Sequence, residues 1–254
     1  MSSLPLSPFT PSTSSTPGFS PHEIALIKSS RLFAGLGDDS RFDTELLRPG
    51  NRLWVPEDTV FLRQGTREPG LYLLLHGSVE IYFANAEGEE KVLNFAKSGE
   101  TFAEETVNDG HPIPYFARTL TPTVMLRLPG DVVNAWIDAS WPFALRFHRL
   151  VSERICLLYA DVVTFYSKTA VQRLACYLIC GYETSRLTLK SSFNLAIPVP
   201  KKNLASRLGM SQTHLSRALR ELKSRDIVTE EGNRLVVADA AKLMAYVCPA
   251  GCDL

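Results

Sequence analysis

The most regular alternation of apolar and polar positions lies between Val199 and Arg225. Leu204 and Leu208 are one helical turn apart, which predicts a first short helix with one buried face. Gly209 then ends that helix, because glycine readily adopts the left-handed backbone of a tight turn. Ser211 is a suitable N-cap for a second helix. The inward positions of the second helix are Leu215, Ala218, Leu219 and Leu222. This arrangement predicts a helix-turn-helix.

The outward face of this unit is polar and basic, as a surface that meets base edges and phosphates must be. We expect Arg217 to read a base and Lys201, near the start of the first helix, to contact phosphate. The expected DNA contacts are Lys201, Lys202, Ser211, Gln212, Thr213, His214, Ser216, Arg217 and Arg220. The alternative interpretation is an ordinary helical hairpin with a solvated cationic face.

Between Pro49 and Pro129 the pattern changes to short β-rich runs punctuated by glycine. Turns are expected at dipeptides such as Gln64-Gly65 and His76-Gly77. Strands are expected at Leu53–Val55, Thr59–Leu62, Leu71–Leu75, Ser78–Phe83, Lys91–Phe95 and Thr123–Leu128. Many short strands at close spacing predict an antiparallel roll or barrel.

A long helix is predicted from Pro142 to about Tyr166, with apolar residues separated by steps of four and three. That spacing is typical of a helix that packs on another helix. The residues that form this apolar stripe are Val151, Ile155, Leu158, Val162 and Phe165. The same stripe could instead cover the roll. We favour a dimer interface, because a DNA-reading module of this kind acts on paired half-sites.

Different structures are predicted for the two ends of the chain. Residues 1–21 are rich in Ser, Thr and Pro and are expected to be disordered. A short helix should begin at Pro21, with Ser20 as its cap and Glu23 three residues further on. A hairpin over 227–238 follows the second helix of the helix-turn-helix, which makes that module winged.

Composition adds a charge asymmetry that the net charge of zero conceals. Residues 168–254 contain 13 Lys and Arg against 7 Asp and Glu, and residues 1–167 hold the remaining 14 against 20. A basic module joined to an acidic one suits a nucleic-acid regulator better than an enzyme. No apolar run reaches the roughly 20 residues of a membrane span, and no secretory signal is recognisable. We therefore expect a cytoplasmic protein that makes no membrane contact.

Catalytic and metal-binding patterns are missing from the sequence. There is no Gly-rich phosphate loop, HExxH motif or Gly-x-Ser-x-Gly turn, and the five histidines show no metal-ligand spacing. Glu104 and Glu105 are adjacent, and neighbouring residues of a strand point to opposite faces, which is poor geometry for acid–base chemistry. We expect neither an enzyme nor a metal site.

All five cysteines lie in the second half of the chain, at Cys156, Cys176, Cys180, Cys248 and Cys252. Their odd number argues against a secreted disulfide framework. Cys176 and Cys180, four residues apart in an apolar helix, are expected in the core. Cys248 and Cys252 could form a redox pair or half of a metal site, and both interpretations stay open.

A glycine-punctuated roll, a long helix and a winged helix-turn-helix, in that order, resemble the cyclic-AMP receptor/FNR (CRP/FNR) family of bacterial transcription regulators. The likeness covers about residues 22–247, and its most specific segments are Gly65–Gly77, Gly99–Glu104 and the helix-turn-helix. The resemblance implies a homodimer in which a small-molecule or gas effector in the roll adjusts the long helices. It also implies double-stranded DNA and RNA polymerase as partners.

Two branches of the family are disfavoured by the residues present. In members that bind cyclic nucleotides, a Glu and a downstream Arg-Ser hold the ribose and the phosphate. Glu104 matches, but Pro114-Tyr115 stand where Arg-Ser would fall, and only Arg118 nearby offers a cation. Members with an iron–sulfur cluster need four thiolates, three of them near the N-terminus. This chain has no cysteine before Cys156.

The run Thr101–Glu105 is most similar to the Dnr-like branch that responds to nitric oxide or redox state, some members of which bind haem. The possible axial ligands are His22, His76, His111 and His148. In the reading helix, many relatives place a Glu four residues before an Arg. Arg217 matches that Arg, but Thr213 stands at the Glu position, so the preferred half-site is expected to differ.

These inferences give an α+β chain of four parts. They are a disordered tail (1–21), an effector-sensing β-roll that is similar to the jelly roll of cyclic nucleotide-binding domains (22–140), a dimerisation helix and hinge (141–167), and a winged helix-turn-helix (168–254). The expected effector site is Phe102, Glu104, Glu105, His111, Tyr115 and Phe116. The competing functions are a scaffold that has kept the fold without a DNA-regulatory role, and a haem or redox sensor whose output is not DNA binding.

Overall fold

The computed structural model describes residues 18–36, 39–68, 70–107, 111–183, 193–196, 200–231 and 234–247. The chain divides into two compact units, Met1–Ile155 and Cys156–Leu254, and the division falls inside one long helix. The predicted disordered tail up to residue 17, together with Cys248 and Cys252, lies outside the described residues.

The first unit is built around two antiparallel four-stranded sheets. Its helices are α1 (Pro21–Ser29), a π-helix (Phe42–Leu47), a 3-10 turn (Glu104–Thr106), α2 (Gly130–Ala139) and the part of α3 (Trp141–Ser167) up to Ile155. Its strands are β1 (Asn51–Val55), β2 (Val60–Leu62), β3 (Gly70–His76), β4 (Ser78–Ala84), β5 (Glu90–Lys97), β6 (Thr101–Phe102), β7 (Phe116–Thr119) and β8 (Thr123–Pro129). The sheet orders are β1-β8-β3-β6 and β2-β7-β4-β5. The antiparallel roll predicted from the short apolar runs is therefore confirmed.

Strand β3 shows why its sequence is apolar without interruption. Tyr72 and Leu74 point into a cluster inside the roll, whereas Leu71 and Leu73 point to a second cluster, which the helices cover. Successive side chains of a strand alternate between faces, so a strand buried on both faces needs apolar residues at every position. The second cluster is filled by aromatic residues such as Phe143 of α3.

The start of the first helix follows the predicted capping pattern. The hydroxyl oxygen of Ser20 accepts a hydrogen bond from the Glu23 amide at 3.3 Å, and the Glu23 carboxylate accepts one from the Ser20 amide at 2.7 Å. Two amides at the start of the helix are satisfied in this way. The same carboxylate pairs with Arg52 of β1 at 2.8 Å, which fastens α1 to the sheet.

Several elements lacked a sequence signal. Strand β6 has two residues, and β7 follows the proline-rich segment 112–114, so neither shows an alternation long enough to recognise. Helix α2 begins at Gly130, directly after Pro129, although a Pro-Gly dipeptide ordinarily marks a turn. The π-helix over Phe42–Leu47 was not predicted either.

The second unit is a winged helix-turn-helix. Its elements are α4 (Ala170–Glu183), β9 (Phe193–Ala196), α5 (Lys201–Arg207), α6 (Gln212–Ser224), β10 (Val228–Glu231), β11 (Arg234–Val237) and α7 (Ala240–Val247). Strands β10, β11 and β9 form an antiparallel sheet, and the β10–β11 hairpin is the predicted wing. The inward residues predicted for the two helices are all buried: Leu204, Leu208, Leu215, Ala218, Leu219 and Leu222.

Gly209 makes the turn between α5 and α6 possible. Its φ of 60° lies in the left-handed region, where a Cβ atom is disfavoured. A Cβ atom at this position would also lie 2.4 Å from Cε1 of Phe165 in α3. The turn therefore packs directly on the last part of the long helix.

Replacing Gly209 with Ala should destabilise the second unit by more than the left-handed backbone alone would cost, because the new methyl group collides with Phe165. The backbone term is roughly 1–2 kcal/mol. Gly88→Ala is the matched control, since Gly88 has a φ of 80° and no atom within 4 Å of its added Cβ. Urea unfolding of both variants measures the difference. Equal losses of unfolding free energy would show that Phe165 does not press on this turn.

Candidate nucleic-acid interface and effector site

Helix α6 presents the predicted DNA contacts to solvent. The Ser211 hydroxyl oxygen accepts a hydrogen bond from the His214 amide at 3.2 Å, which caps the helix as expected. All predicted contacts in this helix and its cap are exposed: Ser211, Gln212, Thr213, His214, Ser216, Arg217 and Arg220. The exposed face and the buried face of the helix are thus cleanly separated.

The cationic side chains of this surface differ in whether they form ion pairs. Within the described residues, Arg217 and Lys202 make no ion pair, whereas Lys201 pairs with Glu230 of β10 at 3.1 Å. A second lysine, Lys223 of α6, pairs with the same carboxylate at 2.6 Å. The arginine expected to read a base is free of such a contact.

The helix-turn-helix is fastened to the last turns of α3. Arg207 of α5 pairs with Asp161 at 2.7 Å, and both side chains are largely shielded from solvent. Arg173 of α4 donates a hydrogen bond to the Gly209 carbonyl at 3.2 Å, and its guanidinium lies 5.8 Å from the ring centre of Phe165. These contacts hold the turn of the reading module against the long helix.

Inside the roll, the expected effector site begins with stacked aromatic rings. Phe102 of β6 is buried, and its ring stacks on Tyr72 with centroids 5.2 Å apart and 11° between the planes. Phe61 approaches the same ring edge-on at 6.1 Å. This side of the predicted site is a packed apolar wall.

Glu104 is a buried carboxylate that links the roll to α3. It accepts a hydrogen bond from the Thr101 hydroxyl at 2.7 Å, and its side chain is 4% exposed. Arg154 of α3 donates to the Thr101 carbonyl at 2.9 Å and lies 3.5 Å from the Glu104 carboxylate. The long helix therefore reaches the turn that carries the predicted effector residues.

Tyr115 and Glu105 form the second polar pair of the predicted site. The buried Tyr115 hydroxyl donates a short hydrogen bond to the Glu105 carboxylate. Burial and the neighbouring Glu105 carboxylate raise the pKa of the phenol, so the hydroxyl keeps its proton and acts as the donor. His111 is exposed beside this pair in sequence.

Ala103 links β6 to this turn in an unusual backbone conformation. Its φ is 67° and its side chain is buried. A non-glycine residue in the left-handed region stores strain, and such residues concentrate at functional sites.

From Ile155 onwards, α3 exposes a broad apolar stripe. At 100° per residue, five large side chains fall on one side of the helix. They are Ile155, Leu158, Tyr159, Val162 and Tyr166, and we call this set the α3 stripe. Leu158 is 57% exposed and Tyr166 is 91% exposed. Of the other predicted dimer contacts, Val151 packs partly against the apolar cluster that the helices cover, and Phe165 lies against Gly209.

Both halves of the chain match known domain families. Residues 52–140 match the cyclic nucleotide-binding domain, and residues 172–246 match the Crp-like helix-turn-helix domain. The chain belongs to the CRP/FNR family of transcription regulators. It is therefore a DNA-binding regulator and not an enzyme.

Individual relatives agree with this assignment. The fumarate and nitrate reduction regulatory protein of Salmonella typhi is 19% identical over 194 residues, which are 75% of this chain and 76% of that protein. The anaerobic regulatory protein of Pasteurella multocida is 21% identical over 194 residues, 75% of this chain and 69% of that protein. The specific likeness to the Dnr-like branch stays a prediction.

Solved structures show the same fold. FixK2 from Bradyrhizobium japonicum superposes with a TM-score of 0.70 at 17% identity, covering 80% of this chain and 99% of that chain. A CooA mutant from Carboxydothermus hydrogenoformans gives 0.69 at 18% identity, covering 80% and 90%. In the described part of this CRP/FNR protein, no helix is both long and apolar enough to cross a bilayer.

The residues present do not fit the cyclic phosphate that the domain family implies. Arg118 of β7 lies on the outer face of its sheet, where Glu80 holds it at 2.6 Å and Glu90 at 3.0 Å. These two carboxylates raise the pKa of its guanidinium despite partial burial. Phe116 shares that outer face, stacked on Tyr82 at 5.3 Å, and so does not join the rest of the predicted effector group.

The histidines proposed as haem ligands are each exposed on a separate segment. His22 is in α1, His76 ends β3, His111 precedes β7 and His148 is in α3. Across the described ranges, no group of three or more His, Cys, Asp or Glu side chains could hold a metal ion. Cys156 is exposed, and Cys176, expected in the core, is half-buried.

Sequence reasoning missed the residues that act across elements. Arg154 contacts Glu104, 50 positions away, and Asp161 contacts Arg207, 46 positions away. Glu230 contacts Lys201 and Lys223, 29 and 7 positions away. Asp161 had a usable signal, because it is the only charged residue between Leu157 and Ser167. Glu230 had none, since its role depends on how the wing folds back on both helices.

Replacing Ala103 with Gly should leave the stability of the first unit within about 0.5 kcal/mol of wild type. Relief of left-handed strain, about 1–2 kcal/mol, offsets the lost methyl burial and the added freedom of the unfolded chain. Ala117→Gly is the matched control, because Ala117 of β7 is equally buried and does not have a positive φ. It should cost about 1–2 kcal/mol in denaturant unfolding. Equal costs at the two positions would contradict strain at Ala103.

Proposed function

We propose that this CRP/FNR protein is an effector-gated regulator that binds a palindromic operator as a homodimer. The observation that carries the proposal is the exposed polar face of α6, on which Arg217 makes no ion pair with any described residue. Its guanidinium can reach a guanine in the major groove without first breaking a contact. A scaffold without DNA-regulatory function would not need this face.

The α3 stripe supports a homodimer. Five large apolar or aromatic side chains on one side of a helix form a patch that a monomeric protein rarely leaves in water. A second copy of the same helix is the natural cover, because a two-fold axis brings the same residues of both chains together. Leu158 lies between Ile155 and Val162 in the stripe.

The contacts of α3 with the reading module support gating. Asp161 and Phe165 lie beside the stripe on the same helix and hold the α5–α6 turn through Arg207 and Gly209. Two half-sites are about 34 Å apart, one turn of DNA. A small rotation at the stripe is therefore carried to both copies of α6 and changes their fit to the two grooves.

The effector acts in this proposal through the contact between Glu104 and Arg154. Phe102, Tyr115 and the two acidic side chains surround the point where α3 meets the roll, so a molecule or gas bound there changes how the helix is held. Mass analysis and the absorption spectrum of freshly purified protein would identify a retained effector, including haem. Family membership supports RNA polymerase as the protein partner and a cytoplasmic location.

Arg217→Ala should remove most sequence preference while the protein stays folded. A bidentate contact to guanine is worth roughly 1–3 kcal/mol of discrimination. The measurement selects an operator from a random duplex library and compares binding to that operator and to a scrambled duplex. Lys202→Ala is the control and should weaken both duplexes alike. An Arg217→Ala protein that keeps the wild-type ratio does not read a base with this residue.

Leu158→Asp should convert the homodimer to a monomer with both units folded, because two carboxylates would face each other in an apolar contact. The expected cost is several kcal/mol per dimer. Leu157→Asp is a matched control: Leu157 is 55% exposed but lies on the other side of the helix. Sedimentation should show a monomer for the first variant and a dimer for the second. A dimeric Leu158→Asp protein would exclude the α3 stripe as the interface.

A further inference from the structure

One carboxylate on the wing binds two lysines of the reading module. Oε1 of Glu230 lies 3.1 Å from Nζ of Lys201 in α5, and Oε2 lies 2.6 Å from Nζ of Lys223 in α6. Each oxygen takes one ammonium group, so the side chain joins three elements. Glu230 is 28% exposed at its side chain, whereas the two lysines are more open to solvent.

These three residues border the face that is expected to meet DNA. Lys223 follows Gln212 and Ser216 along one flank of α6, because positions seven and eleven residues apart are nearly in line on a helix. Lys201 is among the predicted phosphate contacts. The Lys223 hydrogen bond and the second lysine hold the pKa of the Glu230 carboxyl below its usual value. The carboxylate is therefore charged at neutral pH.

A backbone phosphate offers these lysines the same charge that Glu230 offers. Ammonium groups bind phosphate as point charges, and a phosphodiester carries one negative charge, as the carboxylate does. While Glu230 occupies both groups, a phosphate that approaches them must displace it or accept its repulsion. We propose that Glu230 is an internal competitor that holds Lys201 and Lys223 in the DNA-free protein and gives them up to backbone phosphates of a bound duplex.

This inference rests on the proposed DNA-binding function. It predicts that loss of Glu230 changes DNA affinity in the opposite direction from the change expected if Glu230 only supported the lysines. If Glu230 merely positions the lysines, its loss weakens binding. If it competes, its loss strengthens binding to any duplex, because phosphate contacts carry no sequence information. Two exposed ion pairs worth a few tenths to one kcal/mol each correspond to a gain of roughly 2- to 30-fold.

The test compares Glu230→Gln with wild type by fluorescence anisotropy on a labelled mixed-sequence duplex over a series of salt concentrations. We expect tighter binding by the variant and a plot of log affinity against log salt that is steeper by about one to two, one for each phosphate gained. Asp226→Asn is the matched control. It removes the same charge from an exposed residue near the wing that makes no ion pair with a described residue.

Further variants test whether the gain in affinity comes from the two lysines. When Lys201→Ala or Lys223→Ala is combined with Glu230→Gln, each should make the plot of log affinity against log salt less steep by about one. Glu230→Asp, with a shorter reach, should give a partial gain and replaces Glu230→Gln if that protein proves unfolded by circular dichroism. Weaker binding by Glu230→Gln, or a gain equal to that of Asp226→Asn, would overturn the competitor role. If neither the wild-type protein nor Glu230→Gln bound the duplex, the proposed DNA-binding function itself would be overturned.

Discussion

The contact between the end of α3 and the helix-turn-helix turn is the constraint on which the rest of the architecture depends. Asp161 pairs with Arg207, and the Phe165 ring occupies the space beside Gly209 that any larger residue would need. An ion pair alone would be a weak tether at a partly exposed site. The close packing of Gly209 on the Phe165 ring adds a steric constraint that holds the α5–α6 turn against the last turns of α3.

Helix α3 performs different tasks along its length. Near its start, Phe143 and Phe147 are buried under the sheet. At its middle, Arg154 reaches the Glu104 turn. Beyond Ile155 the same helix exposes apolar side chains and carries the reading module. The sequence pattern of steps of four and three is continuous across this change. It could not separate packing on the roll from packing on a partner. The part of the helix before Ile155 packs on the first unit, and packing of the exposed part on a partner stays a prediction.

How much the sequence predicts depends on the distance over which a pattern acts. The helix-turn-helix, its cap at Ser211 and the capping box at Ser20 are set by residues within a few positions, and all appeared as expected. The predicted effector site is assembled from β3, β6, the 3-10 turn, the residue before β7 and α3. Tyr72 and Arg154 join it only because strand pairing and helix packing bring distant segments together. No local periodicity contains that information.

The distribution of charge in the reading module bears on how it tells DNA sequences apart. Contacts from lysine to phosphate raise affinity for every sequence, whereas a base contact raises it for one. A regulator among many competing sites depends on the ratio of these affinities. In this unit Arg217 is unpaired among the described residues, while Lys201 and Lys223 share Glu230. In the competitor role proposed for Glu230, the lysines contribute less to non-specific affinity, and Arg217, the arginine proposed to read a base, makes no ion pair with a described residue. Such an arrangement would favour discrimination over tight binding.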